Sequence, residues 1–365
     1  MKVTKELFGF SKEEAEKILK DLKRYDYGIV ERVKREIKKE PPPKLHSLTS
    51  LQREANKLYG FSAKRTLAIA QKLYEERKVI SYPRTDSQHL AESNKPLVVQ
   101  ILKSLGREDL IPQVPKVGKR VFDDSKLTDH HAIIPLKPPP PNLTPEEKKI
   151  YELIKRRFLG VFYPPYRYEV LKIFTKVGDR YLFYTFLKRD LELGWKVLYS
   201  KSLETVQFPD LKEGDRVKKV DQKMEKRTTS PPPRYTEGML LKKMEQLGLG
   251  TPATRAQIIE TLKERGYVTK KGKVLVPTEK GLELIKNLSD SPVSSPEMTA
   301  RWERALENIY LKKVGYKGYQ HFLEKVKEFT AKEIERLKAK TFEVSQNFKS
   351  SRRGVRKRSS RKRKG

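Results

Sequence analysis

The chain has 365 residues, 36% of them hydrophobic, which is room for about two to four domains with a buried core. It carries 81 Lys and Arg against 47 Asp and Glu, a formal charge of +34 that repels itself unless a polyanion shares the surface; nucleic acid is the leading partner, and a ribosomal or other structural basic protein is the plain alternative. With no cysteine, disulfides, zinc fingers and thiol catalysis are excluded, and five histidines leave little for a metal cage.

No apolar run approaches the roughly 18 to 20 residues of a membrane span and Met1-Lys2-Val3 does not open a signal peptide, so a soluble, cytoplasmic protein is expected. Ser11-Lys-Glu-Glu14 is a capping box that opens an amphipathic helix through about Lys23, with Ala15, Ile18, Leu19 and Leu22 on one face. Alternation from Tyr27 to Ile37 predicts an edge strand, ended by Pro41-Pro42-Pro43 at a domain border. Residues 49 to 76 read as two helices broken at Tyr59-Gly60-Phe61-Ser62, with Ser62 able to cap the second. Val79-Ile80 gives a short apolar strand that runs into the polar Ser81-Tyr-Pro-Arg-Thr-Asp-Ser87.

A second proline-rich border spans Pro135 to Pro141, after which Thr144-Pro145 caps a helix to about Phe158. Alternation and glycine turns between Arg167 and Val220 predict a small antiparallel sheet, closed by Ser230 to Pro233. Helices at 237 to 247 and up to Glu264 flank the loop Gly248 to Pro252. Two short strands around Lys271-Gly272 complete a winged-helix layout, followed by helices at 279 to 287 and 297 to 340. Beyond Phe348 come Arg and Lys runs with no acid, expected to be disordered until bound to phosphate.

Of the 17 tyrosines, Tyr82 stands apart because it leaves an apolar segment into a loop dense in Arg84, Thr85, Asp86 and Ser87, with Pro83 forcing it to be extended. A polar turn is the bland reading of that loop. A phenol titrates near pH 10, so a nucleophilic tyrosine needs cationic neighbours, and an arginine two residues on can supply one and stabilise charge on phosphoryl oxygens. Tyrosine attack on a phosphodiester keeps the energy of the broken bond in a phosphotyrosine, so a strand can be rejoined without ATP.

Leu48-Thr-Ser-Leu-Gln52, Ala70 to Glu75 and Ile80 to Ser87 resemble the active-site block of type IA DNA topoisomerases, especially the topoisomerase III and reverse gyrase branch. Thr128-Asp-His-His-Ala-Ile-Ile-Pro135 is similar to that family's histidine motif, Leu143 to Pro165 to its following helix, and Gly248 to Arg255 with Arg265-Gly-Tyr267 to its DNA-binding helix block. The resemblance, covering roughly residues 1 to 340, implies that Tyr82 is the nucleophile that attaches to the 5′ side of a cut single strand. It implies that Arg84 positions the scissile phosphate, that His130 lies near it, and that Thr85, Asp86, Ser87, Thr254 and Arg255 contact DNA. A satisfied structural histidine remains open for His130, and a solvated helix face for Arg255.

The implied fold is mixed α and β and multidomain: helix-rich, with winged-helix and helix-turn-helix modules and a small antiparallel β hinge domain, part of the family's toroid. Residues 1–40 and 167–235 would form the hinge of the arch, 43–165 the domain of the catalytic tyrosine, 236–345 a winged-helix-like DNA-binding domain and 346–365 a basic tail. The family also has a Toprim domain with an Asp-x-Asp-x-Glu magnesium motif, and no such motif occurs in these residues. The expectation is therefore one polypeptide of a split enzyme that relaxes negatively supercoiled DNA on the chromosome, with no metal ligands of its own. Mg2+ would be held by a separate Toprim-bearing chain. An artificial truncation and a noncatalytic DNA-binding subunit are the alternatives.

Overall fold

The computed structural model describes residues 2–3, 11–127, 129–199, 202–203 and 206–340, so the expected tail at 346–365 lies outside the described residues. The chain forms two compact units: Met1–Ala55 with Arg65–Pro233, and Asn56–Lys64 with Arg234–Gly365.

In the first unit a five-stranded antiparallel sheet has the order β1 (Lys2–Val3), β4 (Tyr181–Glu192), β3 (Tyr166–Val177), β2 (Tyr27–Glu40), β5 (Arg216–Lys218). β3 and β4 form a hairpin whose turn holds Gly178 at φ 56, and an added Cβ there would lie 2.5 Å from the Tyr25 ring. One sheet face is apolar, with Val30, Leu171 and Ile173 buried among Val33, Leu187, Phe208 and Val217. β2 was expected at an edge, but its first residues Tyr27 to Ile29 pair with β5, and only the rest runs beside β3 alone. Three residues of β5 are too short a run to read from sequence. Ahead of β2, α1 (Lys12–Leu22) starts on the expected box, with the Ser11 hydroxyl accepting from Glu14 N at 3.2 Å and the Glu14 carboxylate accepting from Ser11 N at 3.0 Å.

The helical part of this unit contains α2 (Leu48–Tyr59), α3 (Ala63–Glu75), α4 (Lys95–Ser104) and α5 (Pro145–Gly160), although α2 ends and α3 begins in the second unit. A separate core gathers Leu45, Leu90, Ile101, Phe122, Ile134 and Phe158. α5 opens on a Thr144–Glu147 capping box and buries Ile150, Leu153, Ile154 and Phe158, a helical spacing that fills one face. Val79-Ile80 is not a strand: a single antiparallel bridge joins Ile80 to Pro135. Ser81 N to Ile134 O and Leu136 N to Val79 O flank the bridge, but the Val79 amide donates to Leu73 O and the Ile134 amide to the Ser81 hydroxyl, so the pairing stops there.

The second unit holds α6 (Glu237–Gln246), α7 (Pro252–Glu264), the hairpin β6 (Val268–Lys271) and β7 (Val274–Pro277), α8 (Glu279–Asn287), α9 (Pro296–Tyr310) and α10 (Tyr316–Ala339). Ala63, Leu241, Met244, Ala256, Ile259 and Leu275 form its core. Asn56–Lys64, placed by the sequence in the tyrosine domain, belongs here. The buried Glu237 carboxylate accepts from Ala63 N and from Lys263 Nζ, each at 3.0 Å, and Asn56 Oδ1 accepts from Gly238 N at 3.1 Å. The helical stretch expected over 297 to 340 is broken between α9 and α10, where Lys312 takes a left-handed φ of 54. Trp302 closes the resulting pair edge-on against Phe322 and Phe329.

Candidate active site

Residues 81 to 87 alternate: Ser81, Pro83, Thr85 and Ser87 are buried, Tyr82 and Arg84 half-buried and Asp86 exposed. The segment is extended, as Pro83 requires of its predecessor, so Tyr82, Arg84 and Asp86 share the outward face. The inward residues hold it there. Ser81 N donates to Ile134 O at 2.9 Å, and the Ser81 hydroxyl accepts from Ile134 N at 2.9 Å while donating to Ala132 O at 3.1 Å. Thr85 O accepts from Leu48 N at 2.9 Å; its hydroxyl donates to His130 O at 3.3 Å and accepts from Ser87 N at 3.0 Å. The Ser87 hydroxyl accepts from His89 N at 3.1 Å and lies within reach of the carbonyls of His89 and Lys126. Thr85 and Ser87, expected to touch DNA, are thus spent on bracing the loop, each bond contributing about 1 kcal/mol.

The outward face meets α3 and the histidine motif. The Tyr82 ring lies 4.4 Å from the His130 ring, centroid to centroid, and the Tyr74 ring meets it edge-on at 5.4 Å. Arg84 Nη2 donates to Gln71 Oε1 at 2.8 Å, and Gln71 Nε2 donates to Glu75 Oε1 at 2.8 Å. Gln71, Tyr74 and Glu75 fall on one helix face at i, i+3 and i+4. Reading the sequence assigned them no role, though the spacing within Ala70 to Glu75 was the available signal. The His130 side chain is exposed, so it is not a satisfied core histidine. Tyr82, Arg84 and His130 are therefore brought together on one accessible face.

Beneath this face lies His46, fully buried and likewise without a role in the sequence reading. Its carbonyl accepts from Ile133 N at 2.8 Å and its Nδ1 lies 2.9 Å from Ser50 Oγ. Burial, and then the positive charge of Arg157, hold its imidazole well below the usual histidine range. Glu54 Oε2 is 3.4 Å from His46 Nε2, but that carboxylate is already paired with Arg157, so the imidazole stays neutral rather than forming an ion pair.

In the second unit, Gly248 and Gly250 take left-handed φ values of 65 and 64 in the loop that leads into α7. Thr254 is exposed in the first turn of α7, where its hydroxyl accepts from Thr251 N at 2.8 Å. Arg255 is neither a solvated helix residue nor presented for contact. It is 5% exposed, with Nε donating to Leu249 O at 3.1 Å and Nη2 to Gly250 O at 3.0 Å, so it fixes the loop. Among the described residues, no group of three or more His, Asp or Glu is arranged to hold a metal ion, and no helix is long and apolar enough to cross a membrane.

The family model described as DNA topoisomerase matches residues 2–320. DNA topoisomerase 3 of Bacillus licheniformis is 35% identical over 350 residues, covering 86% of this chain and 47% of that protein. DNA topoisomerase 3 of Bacillus thuringiensis is 36% identical over 373 residues, covering 91% of this chain and 50% of that protein. The chain spans about half the length of these relatives. Among solved structures, full-length topoisomerase I from Thermotoga maritima superposes with a TM-score of 0.71 at 31% identity, over 90% of this chain and 56% of that one. With a family match over most of its length and the mixed α and β architecture of that enzyme, the chain belongs to the type IA DNA topoisomerases.

Proposed function

We propose that this chain supplies the strand-cutting face of a topoisomerase acting on negatively supercoiled DNA on the chromosome, with Tyr82 as nucleophile. The observation that carries this reading is the outward face itself: a phenol, a guanidinium and an exposed imidazole converge there on a loop braced from behind. The Tyr82 oxygen would attack the phosphorus of a single strand. One oxygen–phosphorus bond forms as another breaks: the 5′ phosphoryl group stays on Tyr82, and the 3′ oxygen leaves as a hydroxyl. Because the number of phosphoester bonds is unchanged, religation after strand passage needs no ATP. Arg84 would stabilise the charge that builds on the non-bridging oxygens, and His130 would sit beside the phosphate. Asp86 shares the outward face and can contact the strand, and Thr254 would meet backbone phosphate at the start of α7.

The reaction in this reading uses a magnesium ion, and among the described residues no group of three or more His, Asp or Glu is arranged to hold a metal ion. Its place in this reading is on a Toprim-bearing segment supplied from outside these 365 residues, as a separate chain in the split form. The test has two arms. By itself the chain should bind single-stranded DNA without relaxing supercoiled DNA; adding a Toprim-bearing polypeptide should give magnesium-dependent, ATP-independent relaxation with the DNA 5′ end on Tyr82. Tyr82→Phe should abolish covalent capture and leave binding within about twofold, since only one oxygen is lost. Capture persisting in Tyr82→Phe would sink the assignment, and DNA binding without capture under every condition would favour a noncatalytic DNA-binding subunit.

A further inference from the structure

The sheet of the first unit has a second face, opposite its apolar one, that the strand-cutting reading does not use. The register aligns rows of cations and rings across it. Arg32 lies opposite Phe174, which lies opposite Tyr184; two residues along, Lys34 lies opposite Lys172, which lies opposite Phe186. Contacts place these side chains on one side of the sheet: the Arg32 guanidinium is 5.7 Å from the Phe174 ring centre, and at neighbouring positions Arg216 is 3.4 Å over Tyr27 and Lys188 is 4.8 Å over Tyr168.

Two features of this face are unfavourable in a free protein. Phe186 is 54% exposed and Ile29 47%, so large apolar side chains meet water. Lys34 and Lys172 are direct cross-strand partners, a like-charge pair that destabilises a sheet. The carboxylates of this face do not relieve it, because Glu36, Glu40 and Asp190 are each taken by a lysine, at 3.6 Å from Lys38, 2.8 Å from Lys196 and 3.5 Å from Lys188. Among the described residues, Arg32, Lys34, Lys172 and Lys176 have no carboxylate partner. A polyanion that also offers flat rings would answer both features at once.

We propose that this face is a second DNA-binding surface, one that takes single-stranded DNA by stacking its bases on Phe186, Phe174 and Tyr184 and its phosphates on Arg32, Lys34 and Lys172. Stacking selects the single strand, because a duplex keeps its base faces covered, and interleaved rings and cations are the general means of gripping a strand without reading its sequence. The surface is independent of Tyr82, so this proposal and the assignment of Tyr82 can fail separately.

The test uses the full chain and an oligothymidylate of about 12 nucleotides carrying 5-iodouracil. Photocrosslinks are expected on peptides of β3 and β4, in Tyr82→Phe as in the wild type. Phe186→Ala should cut crosslinking at the sheet about fivefold or more, while Phe186→Trp retains it. Lys34→Gln with Lys172→Gln should flatten the salt dependence of that crosslinking by about 1.4 in log–log slope. Phe186 is exposed, so its replacements should fold, and circular dichroism checks this. Crosslinks absent from the sheet, or unchanged in Phe186→Ala, would overturn the proposal. So would a duplex of equal length competing as well as the single strand, which would mean phosphate contact without stacking.

Discussion

Gln71→Met removes the acceptor that holds Arg84 while keeping the length and helix propensity of the side chain. The bond it deletes is a 2.8 Å contact from a charged donor, a class that contributes about 1.5–3 kcal/mol when shielded. Both side chains are only half-buried, so roughly 1–2 kcal/mol of orientation is at stake, and cleavage should slow about 5- to 30-fold. Arg84→Ala, which deletes the donor itself, should cost roughly 100- to 1,000-fold, the scale of losing one group that stabilises developing charge. The assay is single-turnover formation of the covalent adduct on an end-labelled single-stranded oligonucleotide at saturating DNA, with the Toprim-bearing polypeptide supplied. If Gln71 acts only through Arg84, the double variant should be no slower than Arg84→Ala alone. Gln71→Glu should keep Arg84 in place yet still slow cleavage, because a carboxylate cancels the charge the phosphate needs. Wild-type rates in Gln71→Met, or losses that multiply in the double variant, would refute the positioning role.

Removing residues 349–365 should weaken DNA binding and flatten its salt dependence while leaving the cleavage rate at saturating DNA intact; an unchanged slope would mean that these cations do not reach phosphate. Acid should destabilise the first unit. His46 is held below its ordinary value of 6.5 by burial and His89 is lowered chiefly by burial too, so the unfolded chain binds more protons. The stability is complete above pH 6.5 and is lost as pH falls below it, and denaturant midpoints measured from pH 7.5 to 5 should show His46→Gln with a shallower decline than the wild type.

The elements that were legible in the sequence are those whose cause is local. The Ser11–Glu14 and Thr144–Glu147 boxes fix their helix starts within four residues, and Gly178 and Gly272 mark hairpins by a backbone conformation that glycine adopts freely. Tyr82, Arg84 and His130 were legible as a set only through resemblance, since nothing local links position 82 to position 130. The division of labour within the loop was hidden for a different reason. Ser81, Thr85 and Ser87 are as polar as their outward neighbours, so hydropathy gives no period, and the partners of Ser81 and Thr85 at 130 to 134 lie about fifty residues on. Arg255 was misread in the same way, because an arginine that satisfies its own loop's carbonyls looks in sequence like any charged helix residue. The break after α9 carries no proline, and Leu311 to Val314 would continue a helix; only the left-handed Lys312 and Gly315 beyond it turn the chain.

Arg84 is partnered differently from three other arginines of the first unit. Arg77 faces Glu147, Arg107 faces Asp109 and Arg157 faces Glu54, so each of these guanidinium charges is balanced within the fold. Arg84 is held by the neutral amide oxygen of Gln71, which fixes its direction without cancelling its charge. A carboxylate enters only one step further away, where the Gln71 amide donates to Glu75. A group meant only to stabilise the fold gains more from a carboxylate, as Arg77 does at the buried Glu147. A group that must meet a phosphate gains from being aimed by a neutral partner, because an ion pair would have to be broken, or its field overcome, each time the anion arrives. The loop follows the same logic: its bracing bonds are made by hydroxyls and backbone amides, so Tyr82 is immobilised without placing a negative charge behind the guanidinium.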